Sequence, residues 1–156
     1  MSAHLRATAT RLAALGAAAS VAIVPAAGQI AHATHKKPIE KSYTATAPAP
    51  DPTNFSPNAR YSVCEQTVPG SFHVEKFTAP EPGTLKAELF NYVGEWDFLL
   101  TDDKGRELGY SGILDVTGAP ERITYKFKKA GTVKIIACNW AGAPSGTVQY
   151  VFTYAK

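Results

Sequence analysis

From Arg60 to the C-terminus the apolar residues recur with a period of two, and this constrains the fold more than any other feature of the chain. Successive side chains of an extended strand leave on opposite faces. "GTLKAELF" therefore sets Leu85, Ala87 and Leu89 against Lys86 and Glu88. "ERITYKFKK" sets Ile123, Tyr125 and Phe127 against Arg122, Thr124, Lys126 and Lys128, and "TVQYVFTY" aligns Val148, Tyr150, Phe152 and Tyr154. Further strands are expected in "RYSVCEQ", "SFHVEKFTA", "EWDFLLT", "RELGYSG" and "TVKIIACNW". Between them stand turn signals such as "VPG", "APEPG", "DDKG" and "KAG". About eight short strands, closely spaced and without a helical period, predict an all-β fold, a two-sheet β-sandwich. In "TVKIIACNW" the run Ile135, Ile136, Ala137 predicts burial on both faces, hence a central strand.

The N-terminus obeys different rules. Arg6 and Arg11 with no acidic residue precede the apolar stretch from Leu12 to Gly28, and small residues flank His32 in "AHA". This reads as a secretory signal peptide over residues 1–33, cleaved after Ala33. Gly16, Pro25 and Gly28 break the apolar run, so no membrane span is expected. Removing 33 of 156 residues leaves 123, enough for one core. Residues 34–60 contain five prolines and few aliphatics, and are expected to be a Pro-rich linker or tail before a β-sandwich domain at 61–156. Without Arg6 and Arg11 the 16 basic side chains become 14 against 13 acidic, a net charge of +1. That balance predicts no bulk attraction to nucleic acid or anionic membrane.

Cys64 and Cys138 are the chain's two cysteines, and both lie in the portion expected to be exported. An oxidising compartment makes one disulfide between them the leading expectation. No C-x-x-C spacing supports zinc.

The run "FTAPEPGTLKAELFNYVGEWDFLLTDDKGRELGYSG" followed by "PERITYKFKKAGTVKIIACNWAGAPSGTVQYVFTY" resembles the bacterial pre-peptidase C-terminal domain. The shared order is an aromatic strand into a Pro-Gly turn, an Asp-bearing strand, an Asp-x-x-Gly turn, a Ser-Gly, and a Glu-x-Ile strand. An Ala-Gly turn and a closing Tyr-rich strand follow. The resemblance covers roughly residues 68 to 155. It implies a secreted, jelly-roll-like sandwich of antiparallel strands that is itself non-catalytic and usually accompanies an extracellular hydrolase. Some members bind calcium or polymers such as collagen. No enzyme precedes the domain in this sequence, so an accessory role is expected in trans.

The sharpest acidic concentration is Asp97, Asp102 and Asp103. Their spacing does not match an EF-hand loop, and "TDDKGRE" suits a hairpin turn with Gly105 at a positive-φ position. The alternative is a weak calcium site in which Asp97 folds back towards Asp102 or Asp103. Nucleophilic catalysis lacks its parts: "GYSG" is not a G-x-S-x-G elbow, and His73 is expected to point to solvent between inward Phe72 and Val74. Aromatic rings are better candidates for recognition. Trp96, alternating with Phe98 and Leu100, is expected in the core, whereas Trp140, Tyr92 and Tyr110 near strand ends are candidate binding residues.

The expected function is that of a secreted, non-enzymatic binding or accessory domain. Its partner would be an extracellular polymer or a secreted protein such as a peptidase in trans. A structural cell-envelope role without a small ligand is the alternative. Nucleic acid is not an expected partner, and no cofactor beyond calcium is suggested.

Overall fold

The computed structural model describes residues 36–51, 64, 70–112 and 118–156. Eight strands form two antiparallel four-stranded sheets, with no helix among the described residues. They are β1 (Ile39–Thr46), β2 (Phe72–Ala79), β3 (Gly83–Phe90), β4 (Gly94–Asp102), β5 (Glu107–Ser111), β6 (Glu121–Phe127), β7 (Gly131–Gly142) and β8 (Ser145–Tyr154). Sheet A runs β1-β8-β3-β6 and sheet B runs β2-β7-β4-β5. The expected β-sandwich is the fold observed.

The alternating patterns do what their period requires. Leu85, Ala87 and Leu89 of β3 lie inward beside Val148, Tyr150 and Phe152 of β8 and Ile123 and Phe127 of β6. Sheet B answers with Phe77, Trp96, Phe98, Leu100, Val133 and Ile135. At the centre Phe77 meets Tyr150, Phe152 and Phe127 with ring centroids 5.2, 5.4 and 6.0 Å away, within the range where tilted and edge-on aromatic pairs attract. β7 is central in sheet B and buried on both sides, as its unbroken apolar run implies: Ile135 and Ala137 join the main core, while Ile136 and Cys138 face outward into a second cluster with Cys64 and Leu99.

β1 corrects the expectation for residues 34–60. It pairs along its whole length with β8 and buries Ala45, with Ala47 following just beyond its end. The reason is local. Ile39, Tyr43, Ala45 and Ala47 alternate with Glu40, Ser42, Thr44 and Thr46 between Pro38 and Pro48, so the prolines bound a strand that their abundance conceals. Asn139 of β7 fastens its end, donating its side-chain amide to the carbonyl oxygens of Ala47 (2.7 Å) and Ala143 (3.1 Å). The strand expected in "RYSVCEQ" lies outside the described residues except for Cys64, which sits in a turn. The segment 1–33 also lies outside them.

β2 is turned over relative to its expected orientation. Phe72 and Val74 pack outward with Ile136 and Cys138, and His73 faces sheet A, its ring 5.4 Å from that of Tyr43. The second cluster on the outer side of sheet B competes for the same two apolar residues and wins them.

Cys64 and Cys138 close a disulfide, with Cα atoms 5.2 Å apart and a sequence separation of 74. On the chain-entropy model a loop of that length stabilises the folded state by about 4 kcal/mol. Reduction should therefore lower the unfolding free energy by about that amount, measured by urea denaturation with and without reductant. An unchanged midpoint would mean that the bridge constrains nothing that the core does not already hold.

Candidate functional site

Asp97 is a buried carboxylate in an apolar setting. β4 sends Trp96, Phe98 and Leu100 into the core, so Asp97, Leu99 and Thr101 fall on the outer face of sheet B. There Asp97 lies opposite Cys138 and is only 5% exposed. Trp140 donates its indole N–H to the carboxylate and Tyr110 its hydroxyl. Gly112 allows this arrangement, because a Cβ there would lie 2.1 Å from the Tyr110 hydroxyl oxygen and 2.2 Å from Asp97 Oδ1. Burial pushes the Asp97 carboxyl up to about 6; the Trp140 and Tyr110 hydrogen bonds oppose that rise, and repulsion from Glu95 and Glu121 adds to it.

Of the three aromatics expected at a binding surface, Trp140 and Tyr110 are half-buried and direct their polar atoms at Asp97. Tyr92 is only 7% exposed, belongs to the main core, and donates its hydroxyl to the Ala119 carbonyl at 2.5 Å. The three do not assemble one platform. Trp96 is in the core as expected.

Asp102 and Asp103 form the turn that "TDDKG" encodes. Asp102 Oδ1 accepts from the backbone N–H groups of Lys104 and Arg106, both at 2.9 Å, and Oδ2 pairs with Arg106 at 3.1 Å. These contacts, led by the Arg106 backbone N–H, hold the Asp102 carboxyl below its ordinary value. Gly105 takes φ +81°, the conformation the turn reserves for glycine. Four residues lie between Asp97 and Asp102, and five steps of extended chain set their Cα atoms about 17 Å apart along β4. Among the described residues no three His, Cys, Asp or Glu side chains are grouped to hold a metal.

Sequence reasoning missed two arrangements. Ser111 Oγ donates to Glu121, which is only 2% exposed, and accepts from the Arg122 N–H at 3.2 Å, joining sheet B to sheet A. His73 is on β2, three strand spacings or about 14 Å across the sheet from Ser111 on β5, so its imidazole does not reach that hydroxyl. The second is a shallow concavity of about 340 Å³ on the outer face of sheet A, lined by Lys86, Glu88, Arg122, Thr124, Gln149 and Val151. Arg122 pairs with Glu88 at 2.6 Å across its floor. The polar half of each alternating strand builds this face. In sequence it is indistinguishable from ordinary solvated residues.

The Asp97 site generates a pH prediction. Its folded pKa lies above the ordinary 3.8, so its contribution to stability is complete below that pH, is lost as pH rises to about 6, and is constant beyond. Asp97→Asn removes this dependence. Relative to wild type, the variant should gain about 3 kcal/mol of unfolding free energy between acidic and neutral pH, measured by urea denaturation across a pH series. Parallel curves for the two proteins would refute the assignment.

No family model matches the chain, and no curated protein does. Among solved structures it is similar to the pre-peptidase C-terminal domain of collagenase from Bacillus anthracis, at 10% identity and a TM-score of 0.46 over 74% of this chain and 90% of that one. It is also similar to dimeric latent PorU from Porphyromonas gingivalis, at 11% identity and a TM-score of 0.31 over 76% of this chain and 13% of that one. The likeness is one of fold, and ligands and activities stay with those proteins.

Proposed function

We propose that the chain is a secreted, non-catalytic β-sandwich that binds an extracellular polymer, serving as an accessory or attachment domain. The signal-like N-terminus and the Cys64–Cys138 bridge support export to an oxidising compartment. The observation that carries the binding reading is how the polar groups are distributed. Asp97, Asp102, Ser111 and Glu121 are tied to neighbours that hold the fold, whereas the concave face of sheet A offers hydroxyl, amide and charged groups outward. A hydrogen-bonding face of this kind suits a hydrated chain molecule better than a small apolar ligand, which would need an enclosed apolar pocket.

Retention of the purified protein on collagen, chitin and isolated cell-wall polymer tests the proposal. The wild type should be retained on at least one, and Arg122→Ala with Gln149→Ala should weaken binding about tenfold, corresponding to ~1.4 kcal/mol, without changing the melting temperature. Passage of the wild type through all three would sink the binding reading.

A further inference from the structure

The small net charge hides a segregation of charge that only the topology reveals. Ala79 ends β2 opposite Gly131, and Gly83 begins β3 opposite Phe127, so the β2–β3 and β6–β7 turns emerge at the same end of the sandwich. The registers bring six lysines to that end. Lys76 of β2 stands directly opposite Lys134 of β7, Lys86 of β3 and Lys126 of β6 lie on the outer side of sheet A, and Lys128 and Lys129 occupy the turn that joins the sheets. Five of the six are exposed and Lys134 is half-buried. The ion pairs among the described residues use Lys36, Lys41, Arg106 and Arg122, and none uses these six. Of the nearby carboxylates, Glu81 is paired with Lys36, Glu88 with Arg122 and Asp102 with Arg106, leaving Glu40 of β1, in the same outer row as Lys86, and Asp103 and Glu107 on the β4–β5 hairpin as counter-charges.

Like charges directly opposite one another across a sheet oppose folding. Protection of sheet edges explains lysines on β2 and β6, which are edge strands. It does not explain Lys134 on central β7, or two consecutive lysines in a turn. Threonines intersperse the cations: Lys86 lies opposite Thr124, Lys126 opposite Thr84, and the Thr78 and Thr132 hydroxyls are 3.0 Å apart in the row beside Lys76 and Lys134.

We infer that this end of the sandwich is a docking surface for an anionic polysaccharide. The inference rests on the binding reading above and names its ligand class. Unpaired ammonium groups complement carboxylate or sulfate, and the intervening hydroxyls complement the sugar hydroxyls. Two other polyanionic surfaces fit less well. Among the described residues the exposed large apolar side chain is Val93, in the β3–β4 turn at the opposite end, so it offers the lysines no wedge that enters lipid, and the rings at the lysine end, Tyr125 and Tyr154, are half-buried against the core and not presented for bases to stack on.

Retention on heparin, alginate and neutral dextran beads, with duplex DNA on beads as a fourth arm, tests this. The wild type should bind heparin or alginate and not dextran, and should be released by about 0.5 M sodium chloride, where screening is strong. The heparin and alginate arms separate sulfate from carboxylate recognition. Lys126→Gln, Lys128→Gln and Lys129→Gln together, all at exposed positions, should weaken retention at least about tenfold with unchanged melting, because charge neutralisation multiplies through the salt dependence. Passage of the wild type through both anionic beads, equal retention of the triple variant, or retention on DNA alone would each overturn the inference. If the wild type bound collagen or chitin but neither heparin nor alginate, this surface would be rejected while the polymer-binding reading stood.

Discussion

Exclusion of water between the two sheets is the constraint from which the rest of the molecule follows. The inner faces meet through Phe77, Phe127, Tyr150 and Phe152, whose rings touch one another at several angles, so each is held by contacts with both sheets. Close packing reaches the backbone at Gly83, where a Cβ would lie 2.3 Å from the Phe152 ring. Each strand must give alternate positions to this interlock. Chemistry that needs a polar group in a protected place therefore has to be found on an outer face or at an end.

The outer side of sheet B shows what happens when one face of a sheet is asked to pack twice. Ile136, Cys138 and Leu99 are buried there beside Cys64, and the half-buried Phe72, Val74, Tyr110 and Trp140 surround them. Asp97 sits within this apolar ring. An aspartate opposite a disulfide half-cystine is poorly solvated, which raises its pKa, and Trp140 and Tyr110 supply the hydrogen bonds that water no longer gives. A fully apolar residue would leave the Trp140 N–H without this acceptor. The carboxyl therefore has a structural partner on each side and does not require a ligand to explain its position.

This division also explains how far the sequence could be read. Period two located seven of the eight strands, because core contact on one side imposes the alternation directly on Leu85, Ile123, Tyr150 and their neighbours. It missed β1, since a strand at a sheet edge needs few apolar residues: Ala45 and Ala47 satisfy the core with side chains too small to register against the flanking prolines. It mistook the face of β2 because Phe72 and Val74 and the inward Phe77 have different parities, and the covalent tie to Cys64 makes the outer face apolar as well. The turn at Asp102 was legible in full, being determined by contacts within five residues. The concavity and the lysine cluster were not, because both are built by cross-strand register between β3, β6, β7 and β8, and register is a property of the assembled sheets.

Register converts a nearly neutral chain into a polar one. Lys76, Lys86, Lys126 and Lys134 are spread over almost sixty residues of sequence, and in each strand a single lysine on the solvent face is unremarkable. Their gathering follows from two facts that have nothing to do with charge: β2 and β3 are joined by a tight Pro-rich connection, and β6 and β7 by a short one containing Lys128 and Lys129. Both connections cross between the sheets at the same end, so substitutions to lysine near either turn accumulate in one place. Glu95, Asp97 and Glu121 lie towards the other end, where repulsion from Glu95 and Glu121 adds to the burial that raises the Asp97 carboxyl, and none of the three neutralises the lysines. Within one compact domain such a separation gives association an orientation, because a polyanion approaching from any side is drawn to one end and repelled from the other within a Debye length of roughly 8 Å.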